Sequence, residues 1–122
     1  MVPALVPGRW AFCTLNEAAA LDLLADAVAM FREAEGLSLI LPLGLAPAGA
    51  VAMRQITLTV YSSLEGVGLS AAVSGVLADA GIACNLVAAC NHDHLFIPEA
   101  HADVALALLL DLQASAMGGS GP

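Results

Sequence analysis

Residues 55–61, QITLTVY, alternate Ile56, Leu58 and Val60 with Thr57, Thr59 and Tyr61, the period-2 pattern of a strand with two different faces. Straight after them, SSLEGVGL leads into Leu69, Ala72, Val73, Val76, Leu77 and Ala80 at helical spacing, with Gly81 as a stop. A strand with one apolar face and a helix with one apolar stripe have to bury those surfaces against each other. The switch from period 2 to period 3.6 across one short turn therefore constrains the fold more than any other feature.

The rest of the second half extends this unit. Residues 82–90 read as another strand, Asn91, His92 and Asp93 as turn chemistry, and residues 94–97 as a short strand ended by Pro98. Pro98 and Glu99 open a last helix with the stripe Val104, Ala105, Leu108, Leu109 and Leu112, ahead of the tail GGSGP. The order is β, α, β, β, α.

The first half carries a shorter version. Residues 10–15 (WAFCTL) read as a strand, and Asn16 with Glu17 caps an Ala/Leu-rich helix over residues 17–25. VAMFREAEG and LSLILPL are two strands meeting at Glu35 and Gly36, where glycine can take positive φ. FREAEGLSLILP and ACNHDHLFIP lie over one another as strand, polar turn, apolar strand and proline, with Pro42 and Pro98 coinciding, which points to a duplication. The expected fold class is α+β, ferredoxin-like, with antiparallel sheet covered by helices on one face. The Pro/Gly/Ala connector at 46–52 divides a degenerate unit over 1–52 from a second over 53–116, followed by a mobile tail over 117–122.

Composition removes whole classes of function. The formal charge is −8, from 11 acidic residues against Arg9, Arg32 and Arg54, with no lysine. Such a balance repels phosphate backbones, so a nucleic-acid partner is not expected. The uncharged run at 36–53 is interrupted by Gly36, Pro42, Gly44, Pro47 and Gly49, which a spanning helix of about 20 apolar residues seldom tolerates. No membrane partner is expected, and the start, MVPALVPGRW, lacks the basic region of a signal peptide. Cys13, Cys84 and Cys90 sit in apolar segments without CxxC spacing, as reduced thiols in a cytoplasmic protein do. Hydrophobic residues make up 60% of the chain and charged ones 11%, leaving little polar surface, so a homo-oligomer is expected.

The stretch TLTVYSSLEGVGLSAAVSGVLADAGIACNLVAACNHDHLFIP resembles the ACT domain family, specifically a small bacterial group of tandem ACT-like proteins with a similar SSLEGVGL and HDHLFIP. FREAEGLSLILP is similar to that group's first half, so the likeness covers residues 10–112. The resemblance implies two ACT-like units sharing a continuous sheet and regulatory binding of an amino acid or similar small metabolite; the expected assembly is a homodimer or higher, and the expected ligand an amino acid or related small carboxylate. The sequence departs from the usual pattern at its end. An ACT unit closes with a fourth strand, whereas here the last helix runs into GGSGP, so a closing strand has to come from elsewhere or be absent.

The candidate ligand site is Ser62, Ser63, Leu64, Glu65, Gly66, Val67, Gly68 and Leu69, together with Asn85. Backbone N–H groups at a helix start favour a carboxylate, glycines permit close approach, and an amide at Asn85 can pair with an α-amino or carboxylate group. The same residues also have purely structural uses: Ser62 or Ser63 as caps, Gly66 and Gly68 as a tight exit from the strand, Glu65 as a first-turn acid, and Asn85 bonded to neighbouring backbone.

His92, Asp93, His94 and His101 form the densest polar group and would hold an ion only if folding brought them together, since no recognised metal-ligand spacing is present. Extended backbone sends His92 and His94 to one side and Asp93 to the other. No GxSxG, HExxH, Walker or Rossmann pattern occurs, and nothing basic lies near Cys90 to activate it beside His92. The expectation is a non-catalytic protein without a cofactor. The rivals are an interaction protein that only builds an oligomer and a metal-dependent enzyme built on the histidine cluster.

Overall fold

The computed structural model describes residues 1–59 and 67–119. By spatial clustering the chain falls into two compact units: Gly8–Met53 in one, and Met1–Pro7 with Arg54–Pro122 in the other. They are called the inner and outer unit, because the first is inserted into the second along the chain. The α+β architecture is an antiparallel sheet with helices, in tandem ferredoxin-like arrangement.

In the inner unit the strand order is β2-β3-β1, with β1 (Val2–Leu15), β2 (Ala29–Glu33) and β3 (Gly36–Pro42). β1 pairs antiparallel with β3 from Trp10↔Pro42 to Leu15↔Leu37, and β2 pairs with β3 from Ala29↔Ile40 to Glu33↔Gly36. Facing partners share a side of the sheet, so Ala11, Cys13, Leu15, Leu37, Leu39 and Leu41 all point one way. Leu37, Leu39 and Leu41 are buried with Ala20 and are flanked by Leu23, Leu24 and Ala27.

The cover over that face is short: α1 (Glu17–Leu21), then a 3-10 turn over Leu24–Asp26. Asn16 caps α1 as expected, its Oδ1 accepting from the Ala19 N–H at 2.9 Å. The helix expected over 17–25 breaks after Leu21, where the Leu23 N–H turns back to Ala20 O at 3.0 Å. Gly36 opens β3 with φ +148, and a Cβ there would meet Leu15 O at 2.6 Å, so both backbone angle and space demand glycine.

In the outer unit the order is β1-β4-β6-β5, with β4 (Met53–Thr59), β5 (Asn85–Ala88) and β6 (His92–Pro98). α2 (Val67–Asp79) and α3 (Ala102–Gly119) supply the helical layer. Ile56, Leu58, Leu95 and Ile97 from the strands meet Val73, Leu77, Ala105 and Leu109 from the helices, all fully buried. Gly81 (φ +72) ends α2 as a Schellman cap: Ile82 N–H bonds Leu77 O and Gly81 N–H bonds Ala78 O, both at 2.9 Å. Ile82 itself is buried in the same core, so the cap also fixes packing.

Several boundaries differ from expectation. β1 starts at Val2, eight residues before the strand read from WAFCTL, because Pro3 and Pro7 mask it; prolines suit a strand segment whose N–H groups are not all claimed by partners. Its first residues belong to the outer unit, where Met1 and Leu5 pack on the core and β1 lies beside β4. The missing closing strand is thus supplied by the N-terminal end of the chain. β5 covers only Asn85–Ala88, and His92 and Asp93 lie inside β6; the turn sits earlier, where the Ala89 N–H reaches His92 O at 3.0 Å. Val104, placed on the apolar stripe of α3, is 55% exposed, since the inward line runs through Ala102, Ala105 and Leu109 and Val104 falls on its flank. α3 continues to Gly119, further than the tail reading allowed.

Candidate functional site

Of the expected ligand residues, Ser62, Ser63, Leu64, Glu65 and Gly66 lie outside the described residues. Val67 is the first residue of α2, so Gly68 and Leu69 belong to the first helical turn rather than to a loop before it. Leu69 is half-buried and packs on the outer core, which accounts for its place in the helical stripe. Gly68 is exposed, and nothing lies within 4 Å of the position a Cβ would take. Neither neighbouring atoms nor a positive φ requires glycine there.

Asn85 starts β5, and its Nδ2 donates to Phe96 O at 3.2 Å across the β5–β6 pair, where the two residues are register partners. Half of its amide is used in holding the sheet, and Oδ1 has no bond partner among the described residues.

β4 and β6 together build a polar cluster on the sheet face opposite α2 and α3. Alternation along β4 puts Ile56 and Leu58 towards the helices and Gln55 and Thr57 away from them. On β6 the same alternation puts Leu95 and Ile97 inward and His92 and His94 on the far face. Thr57 Oγ1 lies 3.0 Å from His94 Nδ1, and Gln55 Nε2 lies 3.2 Å from the same nitrogen. Gln55 also donates to Thr57 Oγ1 at 3.4 Å, and it is buried at 8% exposure. The His92 and His94 rings are tilted with centroids 6.2 Å apart. Burial pushes the His94 ring below the usual imidazole range, and His92 adds to that, while Asp93 acts against it.

Asp93 pairs with Ala88 and points to the other side of the strand, and His101 lies in a 3-10 turn over Glu99–His101. Among the described residues, no three His, Cys, Asp or Glu side chains come together to hold a metal ion. Cys90 is exposed, whereas burial raises the Cys13 and Cys84 thiols above the usual range, Cys84 being packed against the outer core. The partners of His94 were not read from the sequence, because they depend on β4 and β6 becoming neighbours in the sheet.

Two models described as ACT domain match the chain, one over residues 1–56 and the other over residues 51–111. Among solved structures the chain is similar to a Vibrio cholerae protein of unknown function, described as a possible transport protein, at 41% identity. That match covers 88% of this chain and 85% of the other, with a TM-score of 0.77. An Agrobacterium tumefaciens protein matches at 18% identity over 89% and 86% of the two chains, with a TM-score of 0.71. The alpha and beta subunits of an aspartokinase match at 13% identity over 89% and 95%, with a TM-score of 0.66. The last two bear on fold alone. No curated protein matches the sequence. Among the described residues, no helix is long and apolar enough to cross a membrane.

Proposed function

This chain belongs to the ACT domain family, as two tandem domains, and we infer from that premise that it is a non-catalytic regulatory protein that binds an amino acid or a related small carboxylate. ACT domains are typically ligand-binding regulatory domains, and the double match along almost the whole chain is the observation that carries the reading. The ligand site proposed is the strand-to-helix turn at Ser62–Leu69 with Asn85. The absence of any described residue within 4 Å of a Cβ at Gly68, in the first turn of α2, supports it, since a helix start with room beside its backbone suits a carboxylate. The Oδ1 of Asn85, without a bond partner among the described residues, is available to an ammonium group. The protein acts in the cytoplasm as a homodimer, in which ligand binding biases the placement of units or subunits. Phe31 at 72% exposure on β2 and Phe12 at 42% on β1 stand on the same side of the strands, the side of Ser38 and Ile40, and support a face covered by a second copy.

A thermal-shift screen of the full chain against the amino acids and small carboxylates tests the reading. A ligand held by the folded state alone stabilises by about 2.7 kcal/mol at a hundred times its Kd. Glu65→Gln and Gly68→Val are expected to weaken that shift. If none of these compounds raises the Tm, the oligomer-building alternative replaces this reading.

A further inference from the structure

The Gln55 amide nitrogen can only donate, so its approach to His94 makes Nδ1 an acceptor. With Nδ1 as the acceptor, the Thr57 hydroxyl 3.0 Å away would donate to the same atom and the ring proton would sit on Nε2. This arrangement requires a neutral ring. A proton on Nδ1 would convert the shared acceptor into a donor facing the Gln55 amide N–H. The charged ring would also stand 6.2 Å, centroid to centroid, from a second imidazole, His92.

Few groups near His94 would compensate such a charge. On the same sheet face, β4 presents Gln55, Thr57 and Thr59, none of them ionisable in this range. β5 presents Asn85 and Val87, with Val87 directly opposite His94. Arg54 lies on the other face of β4, where its guanidinium reaches Val6 O at 3.4 Å. Asp93 is the acid adjacent in sequence, and it projects from the opposite face of β6. None of the residues that β4, β5 and β6 present on the face of His94 is a carboxylate.

We propose that Gln55, Thr57 and His94 form a proton-sensitive latch joining β4 to β6, closed at neutral pH and released in mild acid. The inner unit lacks the device: four residues before its proline, where His94 stands relative to Pro98, it has Ser38, whose hydroxyl bonds Glu33 and Thr14. The latch stands apart from the ligand reading and is measured on ligand-free protein.

The sign follows from linkage. The fold disfavours the charged ring, so the unfolded chain takes up the proton first. Stability is full above the ordinary histidine value of about 6.5 and falls as pH drops below it towards the lowered folded value. The test is the Tm of the full chain from pH 7.5 to 5.0 for the wild type, His94→Asn, and His101→Asn as a histidine outside the cluster. His94→Asn is expected to remove at least half of the acid-induced fall, and His101→Asn to leave it in place. An equally steep fall in His94→Asn overturns the proposal. Because that variant could fail to fold, NMR of the wild-type imidazoles gives a second reading. An Nε2–H tautomer at pH 7.5 and a His94 midpoint below about 6.5 are expected. An Nδ1–H tautomer, or a midpoint at or above that value, overturns it.

Discussion

The inner and outer units share a strand plan and differ in what covers it. β3 and β6 both present their buried apolar residues just before a proline, and Pro42 and Pro98 take nearly the same backbone angles, φ −51 and ψ 137 against φ −50 and ψ 135. Each proline opens a 3-10 turn, Leu43–Leu45 in one unit and Glu99–His101 in the other. From there they part. The outer unit runs on into an 18-residue helix, while the inner unit goes directly from its turn to the connector before β4. Its first helix is likewise reduced, five residues against thirteen. The inner core consequently closes over Ala20 and a few flanking leucines, and the outer one over two full helices. A sheet face can keep its pattern of strands while losing helical cover, provided small residues close over what remains.

The largest test of that contrast is to delete matched volumes from the two cores. Leu77→Ala in the outer unit should destabilise by about 2–5 kcal/mol, because the strands on one side and α3 beside it prevent the cavity from collapsing. Leu39→Ala, equally buried but under a short helix and a 3-10 turn, should fall near the low end, about 2 kcal/mol. Urea unfolding of both variants measures it, and equal losses would break the comparison.

A middle-sized effect concerns the two glycines that shape each unit. Gly36→Ala should cost about 1–3 kcal/mol through its backbone angle alone, with the clash at Leu15 O in addition. Gly81→Ala should cost about 1–2 kcal/mol, since its φ of +72 is unfavourable but nothing lies within 4 Å. A larger loss at Gly81 than at Gly36 would show that the cap of α2 matters more than the β2–β3 hairpin.

The smallest effect is expected at Asn16. Asn16→Ala removes the side-chain cap of α1 and should cost about 1 kcal/mol. Hydrogen exchange would sharpen the comparison if the faster exchange stayed within Gly8–Met53.

Legibility tracked how local the cause was. The Gln55–Thr59 alternation, the Leu69, Val73, Val76 and Leu77 line of α2 with its Gly81 stop, the Asn16 cap and the turn at Glu35 and Gly36 each depend on residues within a few positions of one another and were readable, whereas Ala72 and Ala80, read on the same stripe, are exposed. The break of α1 after Leu21 was not, because its Ala/Leu composition suits a longer helix and only the inner core sets where the chain turns back. Val104 was misplaced because a stripe read with a tolerance of one residue spans both the buried line and its flank. For the candidate site, residue types were legible and partners were not. Asn85 gave no sign that its amide would be directed to Phe96 O, since that depends on the β5–β6 register.

By itself, the sequence determined the tandem α+β plan, through two hydrophobic periods and a repeated strand–turn–strand–proline pattern, because side-chain periodicity decides which surface each element must bury. Only the tertiary structure decided that Met1–Pro7 belong with Arg54–Pro122, and that Gln55 and Thr57 converge on His94. Both depend on which strands become neighbours, and neighbours in a sheet are chosen by burial of the whole core rather than by anything written beside them in the chain.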